Sequence, residues 1–178
     1  MMEIYQGRPA NADERLPKEK AVYDLLDSLG ITYERVDHEA VMTIEACREI
    51  DDTFGFDICK NLFLCNRQKT SFYLLLMPGE KQFVTKEVCK QILSPRLSFA
   101  DAECMEKYLN ITPGAVSVMG LMNDTELQVK LLIDKDLLDS EDFGCHPCVN
   151  TSSIKMKTKD ILEKFLPAVK HAYQVVEL

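Results

Sequence analysis

The chain has 178 residues, 46% of them apolar, with 21 basic against 29 acidic side chains and a formal charge of −8. That is enough apolar material for one domain with a sizeable core, and the acidic balance excludes a histone-like binder held to nucleic acid by bulk electrostatics, though not a local basic patch. No run approaches the roughly 20 apolar residues that cross a bilayer, and the start Met1-Met2-Glu3-Ile4-Tyr5-Gln6 lacks the features of a signal peptide, so a cytoplasmic protein with no membrane partner is expected. Seven cysteines, an odd number on a chain too long to need staples, fit a reduced compartment and small core residues.

In chain order, residues 1–16 read as an extended lead-in and 17–178 as a single domain. From Pro17, apolar residues Ala21, Val22, Leu25, Leu26 and Leu29 recur at helical spacing, and Gly30 suits a left-handed cap. Ile31 to Val36 alternates as a strand, and Thr43 can cap a helix carrying Ile44, Ala46, Cys47 and Ile50. Asn61–Cys65 and Phe72–Met77 make a hairpin whose second arm, apolar almost throughout, belongs in the middle of a sheet. Thr85 and Asp101 are placed to cap helices, Val116–Met119 and Leu127–Ile133 read as strands, and Asn123-Asp124 as a hairpin turn between them. Thr158 opens a last helix that Pro167 limits or kinks, and Tyr173–Leu178 closes the chain as a strand. Helices and strands mix without strict alternation, so an α+β (mixed α/β) domain is expected rather than a Rossmann fold.

The common catalytic signatures are missing: there is no phosphate-cradling glycine loop, nucleophile elbow or His-Glu-x-x-His. Gly144-Cys145-His146-Pro147-Cys148 could be half a zinc site or a dithiol, but no second ligand pair exists and no helix start follows; a tight turn that displays His146 at a pocket rim competes with both. Lys60, at the mouth of an apolar strand, can aim its ammonium at an anion or a polarised carbonyl, or simply snorkel to the surface. Gly114 and Gly120 flank a short segment whose backbone could approach a ligand or merely turn. His38 and His171 have no ligand partner nearby in sequence and carry no assigned role. Lys155, Lys157, Lys159, Lys164 and Lys170 could form one phosphate-facing patch or a solvated surface.

Taken together, Tyr33-Glu34-Arg35-Val36-Asp37-His38, Met42-Thr43-Ile44-Glu45-Ala46, Lys60-Asn61-Leu62-Phe63-Leu64, Thr112 to Leu121, Asn123-Asp124, Gly144-Cys145-His146-Pro147 with Asn150-Thr151, and Phe165-Leu166 before Val175-Val176-Glu177-Leu178 form an ordered set. No single motif is specific, but the set resembles the YbaK/prolyl-tRNA-synthetase-associated family of aminoacyl-tRNA editing domains, and within it the free-standing ProX/PrdX type, from about Pro17 onward. Where many members have proline, this chain has Val118.

The resemblance implies a mixed β-sheet or half-barrel flanked by helices, and hydrolysis of the ester in mischarged alanyl-tRNA for proline. It makes Lys60 the catalytic residue, with Val41, Met42, Thr43, Gly114, Ser117, Gly120, His146 and Asn150 binding substrate, and it calls for no metal and no cofactor. The implied partner is the 3′ aminoacyl end of that tRNA, with prolyl-tRNA synthetase and a second copy of the chain, as a homodimer, as candidate protein partners. An activated ester needs a positioned water and a stabilised oxyanion more than a strong nucleophile, which accounts for the missing triad. Apolar side chains near Val41 and Met42 would close the pocket on alanine and reject proline by size. The alternatives are a cysteinyl-tRNA deacylase and a non-catalytic module of the same fold that binds amino acid or aminoacyl-tRNA.

Overall fold

The computed structural model describes residues 2–40 and 44–178. Two sheets form there, both flanked by helices. The four-stranded sheet runs β1 (Ile4–Gln6), β2 (Glu34–Asp37), β8 (Ser152–Lys157), β7 (Asp142–Cys145), and every pairing is antiparallel. The five-stranded sheet runs β5 (Leu97–Phe99), β3 (Lys60–Asn66), β4 (Phe72–Met77), β6 (Val129–Asp134), β9 (Tyr173–Val176); its β4–β6 and β6–β9 pairs are parallel. The mixed α+β class expected from the sequence is the one observed.

The apolar run of β4 has the anticipated cause. All six residues are buried because the strand lies between β3 and β6 with both faces covered. Phe72, Leu74 and Leu76 enter the main core, while Tyr73, Leu75 and Met77 enter a second cluster with Leu64, Val88 and Leu132. The register sets Lys60 opposite Met77, so Lys60 emerges at one end of the hairpin, beside the turn that follows β4.

Helix α1 (Pro17–Ser28) buries Val22, Tyr23 and Leu26, and it ends where Gly30 takes a φ of 67° and the Ile31 N–H donates to Leu26 O at 3.0 Å. Helix α2 (Ile44–Phe54) follows β2; Thr43, its expected cap, lies outside the described residues. Helices α3 (Thr85–Gln91) and α4 (Ala102–Leu109) lie in the crossover that parallel strands require, and α5 (Lys135–Leu138) is one turn after β6. Asp101 caps α4 as expected, accepting from the Cys104 N–H at 2.9 Å. Neither Thr85 nor Thr158 caps: Val84 and Lys157 occupy those positions, and the buried Thr158 hydroxyl has no partner among the described residues.

Other expectations are corrected. Val116–Met119 is not a strand; Val118–Asn123 forms a 3-10 helix capped by Ser117, whose hydroxyl accepts from the Met119 N–H at 3.1 Å. Four consecutive buried residues, Val118 to Leu121, imitate a buried strand in sequence. Asn123-Asp124 is not a hairpin turn. Asp124 is buried, accepts from the Gln128 and Val129 N–H groups at 2.9 and 2.8 Å, and lies 3.0 Å from His171 Nε2, so His171 does have a structural partner. Pro167 does limit the last helix, as expected: the helical run from Thr158 ends at Ala168, one residue past it, after a π-helical turn over Ile161–Phe165 re-registers the hydrogen bonds. The lead-in supplies β1, and the strand near 31–36 begins only at Glu34.

Candidate functional site

The start of β3, the β7–β8 connection, the loop 112–117, helix α2 and the turn after β4 converge on one cleft with two lobes. The larger, of about 660 Å³, is walled by Cys47, Arg48, Ile50 and Asp51 of α2, by Asp57, and by Gly79-Glu80. The smaller, of about 290 Å³, is walled by Asn61, Leu62, Gly114, Val116 and Cys145. Ile58, Cys59, Lys60 and His146 line both.

Lys60 is half-buried at the junction, and its ammonium donates to the carbonyl of Lys81 at 2.5 Å. A lysine ammonium has three donors, so among the described residues two are left for a ligand. The segment before it is fixed from α2, where Asp51 accepts from the Ile58 N–H at 3.0 Å; burial, followed by the neighbouring Asp57 and Asp52, raises the Asp51 carboxyl above its ordinary value.

His146 is held by its backbone surroundings. Its Nδ1 lies 2.8 Å from Ser152 O, a pure acceptor, so Nδ1 carries the proton and Nε2 is left as an acceptor with no partner among the described residues. Ser153 Oγ sits 3.4 Å from the same Nδ1 and 2.9 Å from His38 Nε2, while His38 Nδ1 donates to Glu39 O at 2.8 Å. Burial, and then the His38 ring 6.1 Å away, lower the His146 imidazole from its ordinary value, against the opposing Ser152 carbonyl; His38 is lowered by burial as well. Both rings therefore favour the neutral form.

The loop reaches the cleft through Asn61, whose Oδ1 accepts from the Val118 N–H at 3.0 Å and whose Nδ2 donates to Cys59 O at 3.2 Å. Gly114 has a φ of 89°, a conformation that favours glycine, and a Cβ there would stand 3.4 Å from Asn150 Nδ2. The N–H groups of Gly114 and Val116 have no hydrogen-bond partner among the described residues.

Of the residues singled out from sequence, Lys60, Gly114 and His146 meet in the cleft, with Asn150 against the loop behind Gly114. Ser117 is buried as a helix cap, and Gly120 packs where a Cβ would lie 2.6 Å from Ile111 Cδ1; neither lines the cleft. Val41, Met42 and Thr43 lie outside the described residues. Cys145 and Cys148 are buried with thiols pushed up to about 12 by burial, and no cluster of three or more metal-ligating side chains exists among the described residues. Lys155, Lys157, Lys159 and Lys164 are each paired with carboxylates, so four of the five residues of the suggested basic patch are locally compensated. Sequence reasoning missed Ser153, His38 and Lys81: a serine, a histidine at a strand end and a loop lysine carry no local signature.

The aminoacyl-tRNA editing domain model matches residues 38–164. The prolyl-tRNA editing protein ProX of Acetoanaerobium sticklandii is 34% identical over 159 residues, which is 89% of this chain and 96% of that protein. The prolyl-tRNA synthetase associated domain-containing protein 1 of Danio rerio is 25% identical over 85% of this chain and 83% of its own length. A crystal structure described as that of a candidate trans-editing enzyme for prolyl tRNA synthetase superposes with a TM-score of 0.69 at 18% identity, over 92% of this chain and 98% of that one, and so shares the fold. The chain belongs to the aminoacyl-tRNA editing domain family and is an aminoacyl-tRNA deacylase, a hydrolase.

Proposed function

We propose that the chain clears alanine from mischarged tRNA for proline in the cytoplasm, acting in trans. The observation that carries the reading is the two-lobed cleft, which Lys60 and His146 line in both lobes and Gly114 and Val116 line in the smaller one, with His146 Nε2 and the Gly114 and Val116 N–H groups unpaired among the described residues. Likeness to a prolyl-tRNA editing protein supports tRNA for proline as the substrate body. Alanine follows from second-sieve logic: a synthetic site built for proline cannot exclude a smaller amino acid, so a second site must hydrolyse it.

In this reading the two remaining donors of Lys60 orient the terminal nucleotide through its phosphate or ribose. The Gly114 and Val116 amides receive the ester carbonyl oxygen as it becomes an oxyanion, in a space where partial exclusion of water strengthens them. Water adds to the carbonyl carbon, the ester C–O bond breaks, and the ribose oxygen leaves with a proton, giving free amino acid and uncharged tRNA. The neutral His146 accepts a hydrogen bond through Nε2 from the substrate ammonium, the water or the neighbouring ribose hydroxyl.

The test is deacylation of alanyl-, cysteinyl- and prolyl-charged tRNA for proline by the intact protein and by Lys60→Ala. Release of alanine in preference to cysteine and proline, lost in Lys60→Ala, is expected. Preferential release of cysteine moves the specificity to the sister activity, and full activity in Lys60→Ala refutes the role given to the lysine.

A further inference from the structure

The residues after β4 form a turn closed by the Lys81 N–H donating to Pro78 O at 3.2 Å. The turn packs on the segment leading into β3 so closely that a Cβ on Gly79 would lie 2.9 Å from the Ile58 carbonyl oxygen. Its last carbonyl, Lys81 O, is the group that accepts from Lys60 Nζ. The side chain of Lys81 runs away from the cleft. Its ammonium donates to both carboxylate oxygens of Asp134 at 2.9 and 3.0 Å and to the Leu178 carbonyl at 2.9 Å, and it lies 2.7 Å from Asp136.

Asp134 is the fixed point. It ends β6, is 0% exposed, and also accepts from the Asp136 N–H at 2.9 Å. A buried carboxylate persists only when paired and hydrogen-bonded, so Asp134 demands the Lys81 ammonium, and the ammonium fixes the turn. Neither side chain lines the cleft.

We propose that Asp134 and Lys81 are positioning residues for Lys60: their ion pair stakes the Pro78–Lys81 turn to the end of β6, so that the Lys81 carbonyl holds the Lys60 ammonium at the junction of the two lobes. The inference rests on Lys60 being the functional lysine, and the experiment separates the two.

Competitive acetylation of the intact protein, read lysine by lysine by mass spectrometry, reports on the latch without needing activity. Lys60 acetylates more slowly than the exposed Lys159, and Asp134→Asn raises the Lys60 rate several-fold while leaving Lys159 unchanged. In the deacylation assay Asp134→Asn lowers kcat about tenfold, the scale of a small misplacement of a catalytic group, with KM nearly unchanged. Lys81→Arg, which can still fork onto Asp134, retains most of the activity that Lys81→Met loses. In a Lys60→Ala background Asp134→Asn has no further effect on the residual kcat, whereas a purely structural role would give the same fold loss in both backgrounds. Unchanged Lys60 acetylation in Asp134→Asn, or additive losses, overturns the latch and leaves the reading of Lys60 standing; full activity in Lys60→Ala overturns both. If Lys81→Met does not fold because it strands a buried charge, Asp134→Asn, which removes that charge and keeps the shape, carries the acetylation test alone.

Discussion

Asn61→Ala tests how the loop that carries the proposed oxyanion donors is held. Asn61 bridges β3 and the loop, with Oδ1 accepting from the Val118 N–H at 3.0 Å and Nδ2 donating to Cys59 O at 3.2 Å. Val118 is 0% exposed, so alanine leaves its N–H buried without an acceptor. A stranded buried donor costs about 1–3 kcal/mol, and at about 2–4 °C per kcal/mol for a domain of this size the melting temperature should drop by about 2–12 °C. Activity should fall further than unfolding explains, because Gly114 and Val116 belong to the same loop; at a temperature where both proteins are folded, kcat/KM should fall at least about tenfold, toward the loss seen when an oxyanion donor is removed. Differential scanning fluorimetry and a deacylation time course measure the two quantities. A large loss of activity with an unchanged melting temperature would refute the reasoning, since Asn61 would then be acting on the substrate directly rather than pegging the loop.

Because burial and His38 hold His146 below its ordinary value of 6.5, the neutral imidazole, and with it activity, is full above that value and lost only as pH falls through the lowered one. His38→Gln removes the part of the depression due to His38, so the acidic limb of the kcat/KM profile should move to higher pH; a limb that stays put or moves lower contradicts the assignment. Gly144→Ala places a Cβ 2.7 Å from Phe56 Cζ and 2.9 Å from Ile58 Cγ1, an overpacking worth about 1–3 kcal/mol, and should lower both the melting temperature and activity by pushing the segment that leads to Lys60. Native melting and activity in that variant would show that the segment yields freely. Iodoacetamide should modify Cys47, exposed on the cleft wall, before Cys145 and Cys148, whose buried thiols stay protonated, and should slow deacylation as it does so. Peptide mapping that finds Cys145 or Cys148 alkylated first contradicts the burial argument.

How much of this could be read beforehand depended on whether the signal was local. The buried run of β4, the α1 spacing with Gly30 and the Asp101 cap each follow from neighbouring residues, and the structure shows them. Val116–Met119 reads as a strand because the 3-10 helix buried along Val118–Leu121 has the composition of a buried strand, and only the long-range acceptor Asn61 decides the backbone path there. Strand β8 lacked a signal for a related reason: Ser152, Ser153 and Lys155 break its apolar pattern, yet both serines are fully buried with their hydroxyls bonded to Val36 O and His38. Of the site, Lys60, Gly114 and His146 are singled out by the family resemblance, whereas Ser153 and Lys81 acquire meaning only from residues 115 and 21 positions away, respectively, to which they bond.

Backbone groups do most of the positioning at this site. Lys60 is gripped by the Lys81 carbonyl, His146 by the Ser152 carbonyl, and the loop by its own Val118 N–H on Asn61. The first grip comes from the five-stranded sheet and the second from the four-stranded one, so the distance between ammonium and imidazole is set by how the two sheets pack rather than by any side-chain pair. Small residues at that seam then matter as much as the chemical groups: Gly79 lets the turn close on Ile58, and Gly144 lets β7 pass Phe56 and Ile58. In the proposed reaction an ester that is already activated needs little more than donors and a water held in register, and a frame built from two sheets would supply that register without a nucleophile.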